Sequence, residues 1–185
     1  MKIATRNLLA EIMLDALDDD TAAATLRSLA ASFHTLDLSN ASQRLCLPVS
    51  AEECPAIVSR LRAFEAALAE WAESTTGTLE ETSRSRALCK GVLLFNHRLF
   101  FEVHEVLEVQ WRQESGAEKT FFQGLIQIAV AFHHLENRNL RGALALLHDG
   151  LEKLVPYQPA FLGVELVEFV RDLQDCQDEL FALCQ

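Results

Sequence analysis

The feature that most constrains the fold is a run of large apolar residues at alternating spacings of four and three. Such spacing places every member on one face of an α-helix, where the residues pack against another helix. Glycine and proline are scarce, with seven and four in 185 residues, and alternating apolar and polar runs are almost absent. We therefore predict an all-α fold with no sheet. The residues of the run are Ile57, Leu61, Phe64, Leu68 and Trp71.

Capping residues and helix breakers predict an antiparallel bundle of about seven helices. Residues 36–50 contain Ser, Asn and Pro without sustained periodicity and are predicted to be a linker. The stretch STTGT at residues 74–78 is predicted to interrupt the helices. We therefore expect residues 1–80 to be an N-terminal helical extension and residues 81–185 to be a helical core. Within that core, short loops between helices predicted at 83–96, 100–113, 120–136 and 140–154 favour antiparallel neighbours.

The charge balance bears on partners and location. The chain has 27 acidic against 16 basic side chains, a net charge of −11, which repels phosphate backbones and anionic lipid surfaces. We therefore expect neither nucleic acid nor a membrane as a partner. The longest apolar stretch, GLIQIAVAF, is far shorter than the roughly 20 residues of a membrane span. Five cysteines without CxxC spacing, and no signal-peptide pattern at residues 1–20, predict a cytoplasmic protein.

The stretch FEVHEVLEVQW contains HEVLE, which is one residue away from the HExxH motif of zinc metalloproteases. His104 and Glu108 are four residues apart, as two ligands on one helix must be, and His134 would supply the third ligand to a divalent metal. The motif is weak evidence for a zinc hydrolase. On its own helix, the pairing of His104 with Glu108 is also what an ordinary solvated face shows.

The following helix, FFQGLIQIAVAFHHLE, is apolar in nearly every direction except one polar stripe. Gln123, Gln127 and His134 fall within about 40° of one another at helical spacing. A helix of this type is normally buried, so its polar stripe needs hydrogen-bond partners. We expect Glu105 or Glu108 to accept from Gln127 and His134. The resulting cluster is either a structural network or a site for a ligand or metal, and the residues leave both open.

Three stretches resemble the bacterial and archaeal family called domain of unknown function 309. They are FNHRLFFEVHEVLEVQW at 95–111, GLIQIAVAFHHLENRNLRGALALL at 124–147 and KLVPY at 153–157. The resemblance as a whole extends over about residues 84–157. It implies a compact all-helical fold and no particular activity. Carried over residue by residue, the motif positions are Glu102, His104, Glu105, Glu108, Trp111, Gln127, His134, Asn139 and Gly142.

Two arginines depart from the family pattern. Arg98 and Arg138 stand where the family has turn glycines. If those turns need a positive φ, both arginines carry backbone strain.

Two functional hypotheses follow. In the favoured one, the chain is a non-enzymatic interaction or scaffold protein. Its buried Glu/His/Gln cluster fixes the helix register, and its N-terminal helices or acidic surface engage a protein partner or a second copy. In the alternative, the same cluster binds a small ligand or a divalent metal, with hydrolysis as one outcome. Whether the protein is an enzyme stays open, and no cofactor other than that metal is indicated.

Overall fold

The computed structural model describes residues 1–35, 38–74 and 82–184 of the chain. These ranges contain nine α-helices, one 3₁₀ helix and one two-stranded sheet. The all-α prediction is confirmed, whereas the count of about seven helices and the absence of a sheet are corrected. The elements are α1 (Ile3–Ala16), α2 (Asp20–His34), α3 (Leu38–Leu45), α4 (Cys54–Ser74), α5 (Ser83–Asn96), α6 (Phe100–Trp111), α7 (Gly116–Glu136), α8 (Leu140–Leu154), the 3₁₀ helix Val155–Tyr157, β1 (Ala160–Phe161), β2 (Val164–Glu165) and α9 (Val167–Leu183).

Two local predictions were wrong for identifiable reasons. The linker predicted at 36–50 contains α3, because Ala41 and Leu45, four residues apart, are both buried on one face of a short helix. The helix predicted to begin at residue 120 begins at Gly116 instead, because Ser115 takes the extended N-cap conformation directly before it. The predicted interruption at 74–78, beyond Ser74, and the predicted boundary at 80/81 lie outside the described residues.

The small sheet is a hairpin in the connection between α8 and α9. Ala160 pairs with Glu165 and Phe161 with Val164 in antiparallel register. The two residues between the strands, Leu162 and Gly163, have φ of 51° and 80°. Positive φ at both positions is what a two-residue hairpin turn requires. Because this hairpin occupies residues 160–165, α9 begins only at Val167.

The chain divides into two compact units. The first unit comprises residues 1–79 together with residues 96–99. The apolar run of α4 forms its core as predicted, since Ile57, Leu61 and Phe64 are almost fully buried. Trp71 completes the run and donates its indole N–H to the Leu17 carbonyl at 2.9 Å. The apolar run of α4 therefore forms a packing face between helices, as its spacing predicted.

A buried carboxylate ties the start of α1 to the segment before α4. Glu53 accepts a hydrogen bond from the Lys2 backbone N–H at 2.8 Å and from the Ser50 hydroxyl at 3.0 Å, and its second oxygen lies 3.3 Å from Lys2 Nζ. The Lys2 backbone N–H is the main cause that lowers the pKa of Glu53 from 4.5 to about 2, against the opposing effect of burial.

The acid stability of the protein is expected to depend on Glu53. Because the pKa is lower in the folded state, the carboxylate stabilises the fold fully above pH 4.5, and this contribution is lost as the pH falls toward about 2. Glu53→Gln should lower the melting temperature at neutral pH. The melting temperature of this variant should also fall less steeply than that of the wild type as the pH is lowered. Circular dichroism melting across this range tests the expectation, with the exposed neighbour Glu52→Gln as the control. An acid decline that is the same in both variants would contradict it.

The second unit comprises residues 80–95 and 100–185. Helices α6 and α7 run antiparallel: the Phe100 and Phe132 rings lie 5.2 Å apart at one end, and Lys119 Nζ lies 4.5 Å from the Trp111 ring at the other. Helices α7 and α8 also run antiparallel, with Gly124 beside Leu154 and Gly150 beside Ile128. The 3₁₀ helix contacts the start of α7, where the Tyr157 hydroxyl donates to the Ala117 carbonyl at 2.9 Å. The hairpin contacts the same part of α7, where the Phe161 ring lies 5.1 Å from the Phe121 ring.

No helix within the described ranges combines the length and the apolar character needed to cross a bilayer.

Candidate functional site

The polar side chains of HEVLE lie on the outer part of α6, while Phe100, Val103 and Leu107 are buried on its inner side. His104 Nδ1 is 3.1 Å from Glu105 Oε1, and His104 Nε2 is 3.8 Å from Glu108 Oε2. The contacts of these three side chains therefore run along the helix itself, as expected for spacings of one and four residues.

Glu108 has a second partner on the same helix. Its Oε1 accepts from Arg112 Nη2 at 2.9 Å, again at a spacing of four residues. The Glu108 side chain therefore bridges an imidazole and a guanidinium on α6.

The hydrogen bonds predicted between α6 and α7 are not formed. Gln127 Oε1 is buried and has no hydrogen-bond partner among the described residues. His134 Nδ1 instead lies 3.0 Å from the amide nitrogen of Asn139. The physical reason is helix register, because the end of α7 that carries His134 packs beside Phe100, about two helical turns from Glu108. Whether these residues bind a ligand stays a prediction.

The predicted metal ligands are not brought together. Within the described residues, no group of three or more His, Cys, Asp or Glu side chains is placed to hold a metal ion. Of the three predicted ligands, His104 and Glu108 adjoin each other, whereas His134 belongs to the turn between α7 and α8. The corrected grouping is thus a pair on α6 and a separate histidine at the end of α7.

The turn between α7 and α8 accounts for His134, Asn139 and Gly142. The Asn139 backbone N–H donates to the His134 carbonyl and the Arg138 N–H to the Leu135 carbonyl, both at 2.9 Å, which closes the end of α7. The Asn139 side chain then caps α8 by accepting from the Gly142 N–H at 3.1 Å. A Cβ at Gly142 would lie 2.5 Å from the Asn139 amide nitrogen, so a larger residue would displace the capping side chain.

The two arginines that replace the family's glycines both adopt positive φ, 58° at Arg98 and 59° at Arg138. Arg138 follows the C-cap residue Asn137, the position that strongly favours glycine in this type of helix end. The strain expected from the sequence is therefore present at both turns.

Arg138→Gly is expected to raise the free energy of unfolding by about 0.5–1 kcal/mol, because glycine adopts this backbone conformation without a Cβ clash. The matched control is Arg138→Ala, which removes the same side chain and keeps the Cβ. Urea denaturation of both variants measures the difference. Equal stabilities of the glycine and alanine variants would show that the backbone at residue 138 is not strained.

A buried charged network was missed by the sequence analysis. Arg84 on α5 donates to both oxygens of Glu114, from Nε at 2.8 Å and from Nη2 at 2.7 Å, and Gln110 Nε2 donates to Glu114 Oε1 at 2.6 Å. The Glu114 side chain is only 6% exposed. The Arg84 hydrogen bonds are the main cause that lowers the pKa of this carboxyl, with a further contribution from Gln110. The sequence feature that could have indicated this network is the spacing of four residues between Gln110 and Glu114, which places the two side chains near each other at a helix end.

Two further charged side chains are buried in this unit. Glu102, a predicted motif position, has no exposed surface, and Lys90 on α5 is 7% exposed. Both have partners in the structure. Their burial indicates a structural contribution, since charges in protein interiors are normally paired.

Trp111 is the last residue of α6. The side chain is half-buried, and its indole Nε1 is buried with no hydrogen-bond partner among the described residues. Lys119, near the start of α7, places its ammonium group 4.5 Å from the ring centroid, within the distance of a cation–π contact.

Fold and site together define a helical domain in which the HEVLE helix packs antiparallel to the GLIQ helix and an asparagine-capped turn leads into a third helix. Residues 88–146 match the model of a family described as Domain of unknown function (DUF309), which confirms the resemblance over that segment. A curated relative, the "Uncharacterized protein YpuF" of Bacillus subtilis (strain 168), is 36% identical over 58 residues, 31% of this chain. The match spans 33% of that relative's length. No solved structure matches this chain.

Proposed function

We propose that the protein is a non-enzymatic interaction or scaffold protein, in which the polar side chains of α5 to α8 hold the helices in place. The observation that carries this proposal is the network of Arg84, Gln110 and Glu114. Two short hydrogen bonds join Arg84 on α5 to Glu114 just after α6, and a third joins Glu114 to Gln110 on α6. The bond between His134 and Asn139 acts similarly between α7 and α8. Polar groups engaged in this way stabilise a rigid arrangement and are not free for substrate.

The surface proposed for a partner is the outer side of α9. Phe181 and Leu183 are 57% and 70% exposed, which is high for side chains of this size. The same helix carries Glu168, Asp172, Asp175, Asp178 and Glu179, all exposed, against one arginine, which pairs with Glu168 and Asp172. Apolar side chains flanked by acidic ones suit a partner that presents apolar and basic residues.

Affinity purification with quantitative mass spectrometry tests this role. We expect one or more proteins to co-purify with the wild type in stoichiometric amounts and to be lost from Phe181→Ser/Leu183→Ser. The control is Val155→Ser, which alters an exposed apolar residue away from α9 and should retain the partners. Recovery of the same proteins with all three forms, or of none with the wild type, would argue against the proposal.

A second candidate function is the binding of a small polar ligand beside Gln127. It is favoured by the buried Gln127 Oε1, because an unsatisfied buried carbonyl costs about 1–3 kcal/mol and a ligand donor would relieve that cost. A thermal-shift screen against metabolites tests it. A hit that disappears in Gln127→Leu would establish this function, and a protein that responds to no metabolite would remove it.

Gln127→Leu is itself expected to raise the free energy of unfolding by about 1 kcal/mol, because it removes the unsatisfied carbonyl while keeping a similar volume. Gln123→Leu, at an exposed position of the same helix, should change it by less than about 0.5 kcal/mol. Since Gln127 and Glu105 share no hydrogen bond, combining Gln127→Leu with Glu105→Gln should give additive effects in urea denaturation. A strong coupling between the two substitutions would instead support the contact between Gln127 and Glu105 that the sequence predicted.

A further inference from the structure

Trp111 and Lys119 bring two hydrogen-bond donors together, and neither donates to an acceptor among the described residues. The Trp111 indole Nε1–H is buried and donates to no acceptor in the described ranges. The Lys119 ammonium lies over the ring, and no carboxylate of the described residues forms a salt bridge with it. An indole N–H and an ammonium group are both donors only. A group that satisfied both would have to be an acceptor with negative charge.

Glu108 and Glu114, the two carboxylates nearest to Trp111 in sequence, are both hydrogen-bonded to arginines, Glu114 to Arg84 at 2.8 and 2.7 Å. Glu108, three residues before Trp111, accepts from Arg112 at 2.9 Å. Glu118, the neighbour of Lys119, lies 4.0 Å from Arg84. Among the described residues, no carboxylate forms a salt bridge with Lys119, so its ammonium is a local positive group in a chain with a net charge of −11. Coulomb attraction at this spot favours an incoming anion even though the protein as a whole repels one.

We propose that Trp111 and Lys119 form a binding site for a carboxylate group. One oxygen of the carboxylate replaces the indole ring as the partner of the Lys119 ammonium. Its other oxygen accepts a hydrogen bond from the Trp111 Nε1–H. Lys119 covers the ring, and its flexible side chain moves aside as the carboxylate enters. The carboxylate belongs either to a small organic acid or to the C-terminus of a protein chain. The site does not depend on the α9 surface, so each can fail without the other.

The two indole N–H signals in a ¹H–¹⁵N correlation spectrum of the full chain provide the test, with Trp111→Phe to assign them. Acetate, and an acetylated alanine tripeptide with a free C-terminal carboxylate, are titrated at millimolar concentrations and constant ionic strength. We expect the Trp111 indole proton to move downfield and saturate. The Trp71 signal, whose N–H already donates to Leu17, should stay in place.

The matched variant is Lys119→Met, which keeps the packing over the ring and removes the charge. Its response should be at least tenfold weaker, and the amidated tripeptide should give none. A shift with acetate indicates a small-acid site, and a shift confined to the free tripeptide indicates a chain terminus. A Trp111 signal that moves with neither probe, or that moves equally in Lys119→Met, overturns the proposal.

Discussion

Arg84→Met is expected to lower the melting temperature by about 5–10 °C, because it leaves the Glu114 carboxylate buried with Gln110 as its remaining partner. Breaking a buried pair costs more than breaking a surface pair, since the remaining charge has lost its solvation as well as its counter-ion. The Arg84 side chain is 38% exposed, so the loss should fall short of that for a fully buried pair. Thermal unfolding followed by circular dichroism measures the effect.

Two further variants separate the charge from the packing of Arg84. Arg84→Lys keeps the charge but forms one hydrogen bond where arginine forms two in parallel, so its loss should be intermediate. Arg84→Met combined with Glu114→Gln removes both charges and should recover part of the stability lost in Arg84→Met. Arg141→Met, at an exposed arginine of α8, serves as the control. A double variant as unstable as Arg84→Met would show that the charge pair is not the cause.

Gly150→Ala is expected to destabilise the protein by about 2 kcal/mol, because α7 and α8 approach each other too closely for a side chain at this position. A Cβ at residue 150 would lie 2.6 Å from Ile128 Cδ1 and 3.1 Å from the Gly124 carbonyl oxygen. The carbonyl belongs to the backbone of α7 and cannot turn away. The better helix propensity of alanine offsets about 1 kcal/mol of the cost, so the clash itself is larger than the measured loss.

The same contact supplies a compensating change. Ile128→Val removes the Cδ1 atom and alone should cost about 1 kcal/mol as a cavity. Combined with Gly150→Ala, it should cost less than the sum of the two single variants in urea denaturation. Strict additivity would mean that residues 150 and 128 do not compete for the same space.

The pattern of the sequence predicted those features that are encoded locally. Residues 83–96 and 140–154 were predicted as helices with the bounds that α5 and α8 have. A capping side chain precedes each helix, since Thr82 accepts from the Ser85 N–H and Asn139 from the Gly142 N–H. Residues 38–45 were predicted as part of a linker, since an eight-residue helix carries too few apolar residues to show a period. The strain at Arg98 and Arg138 was predicted from the turn glycines that they replace.

The side-chain partners of the candidate site could be predicted only in part. The pairing of His104 with Glu108 follows from their spacing on one helix and was foreseen as the ordinary alternative. The partner of Gln127 depends on how far α7 slides along α6, which neither helix specifies alone. The pair of Arg84 and Glu114 joins residues 30 positions apart, and it too needed the packing of two helices.

The central claim is that the polar side chains of α5 to α8 support the fold and that the protein acts through protein contacts. Native mass spectrometry of the untagged protein, purified without chelators, tests this most directly. We expect the chain to carry no stoichiometric metal or small-molecule adduct and to form a complex with the proteins that co-purify with it. A stoichiometric non-protein adduct that disappears in His104→Ala and in Gln127→Leu, while both variants remain folded, would contradict it.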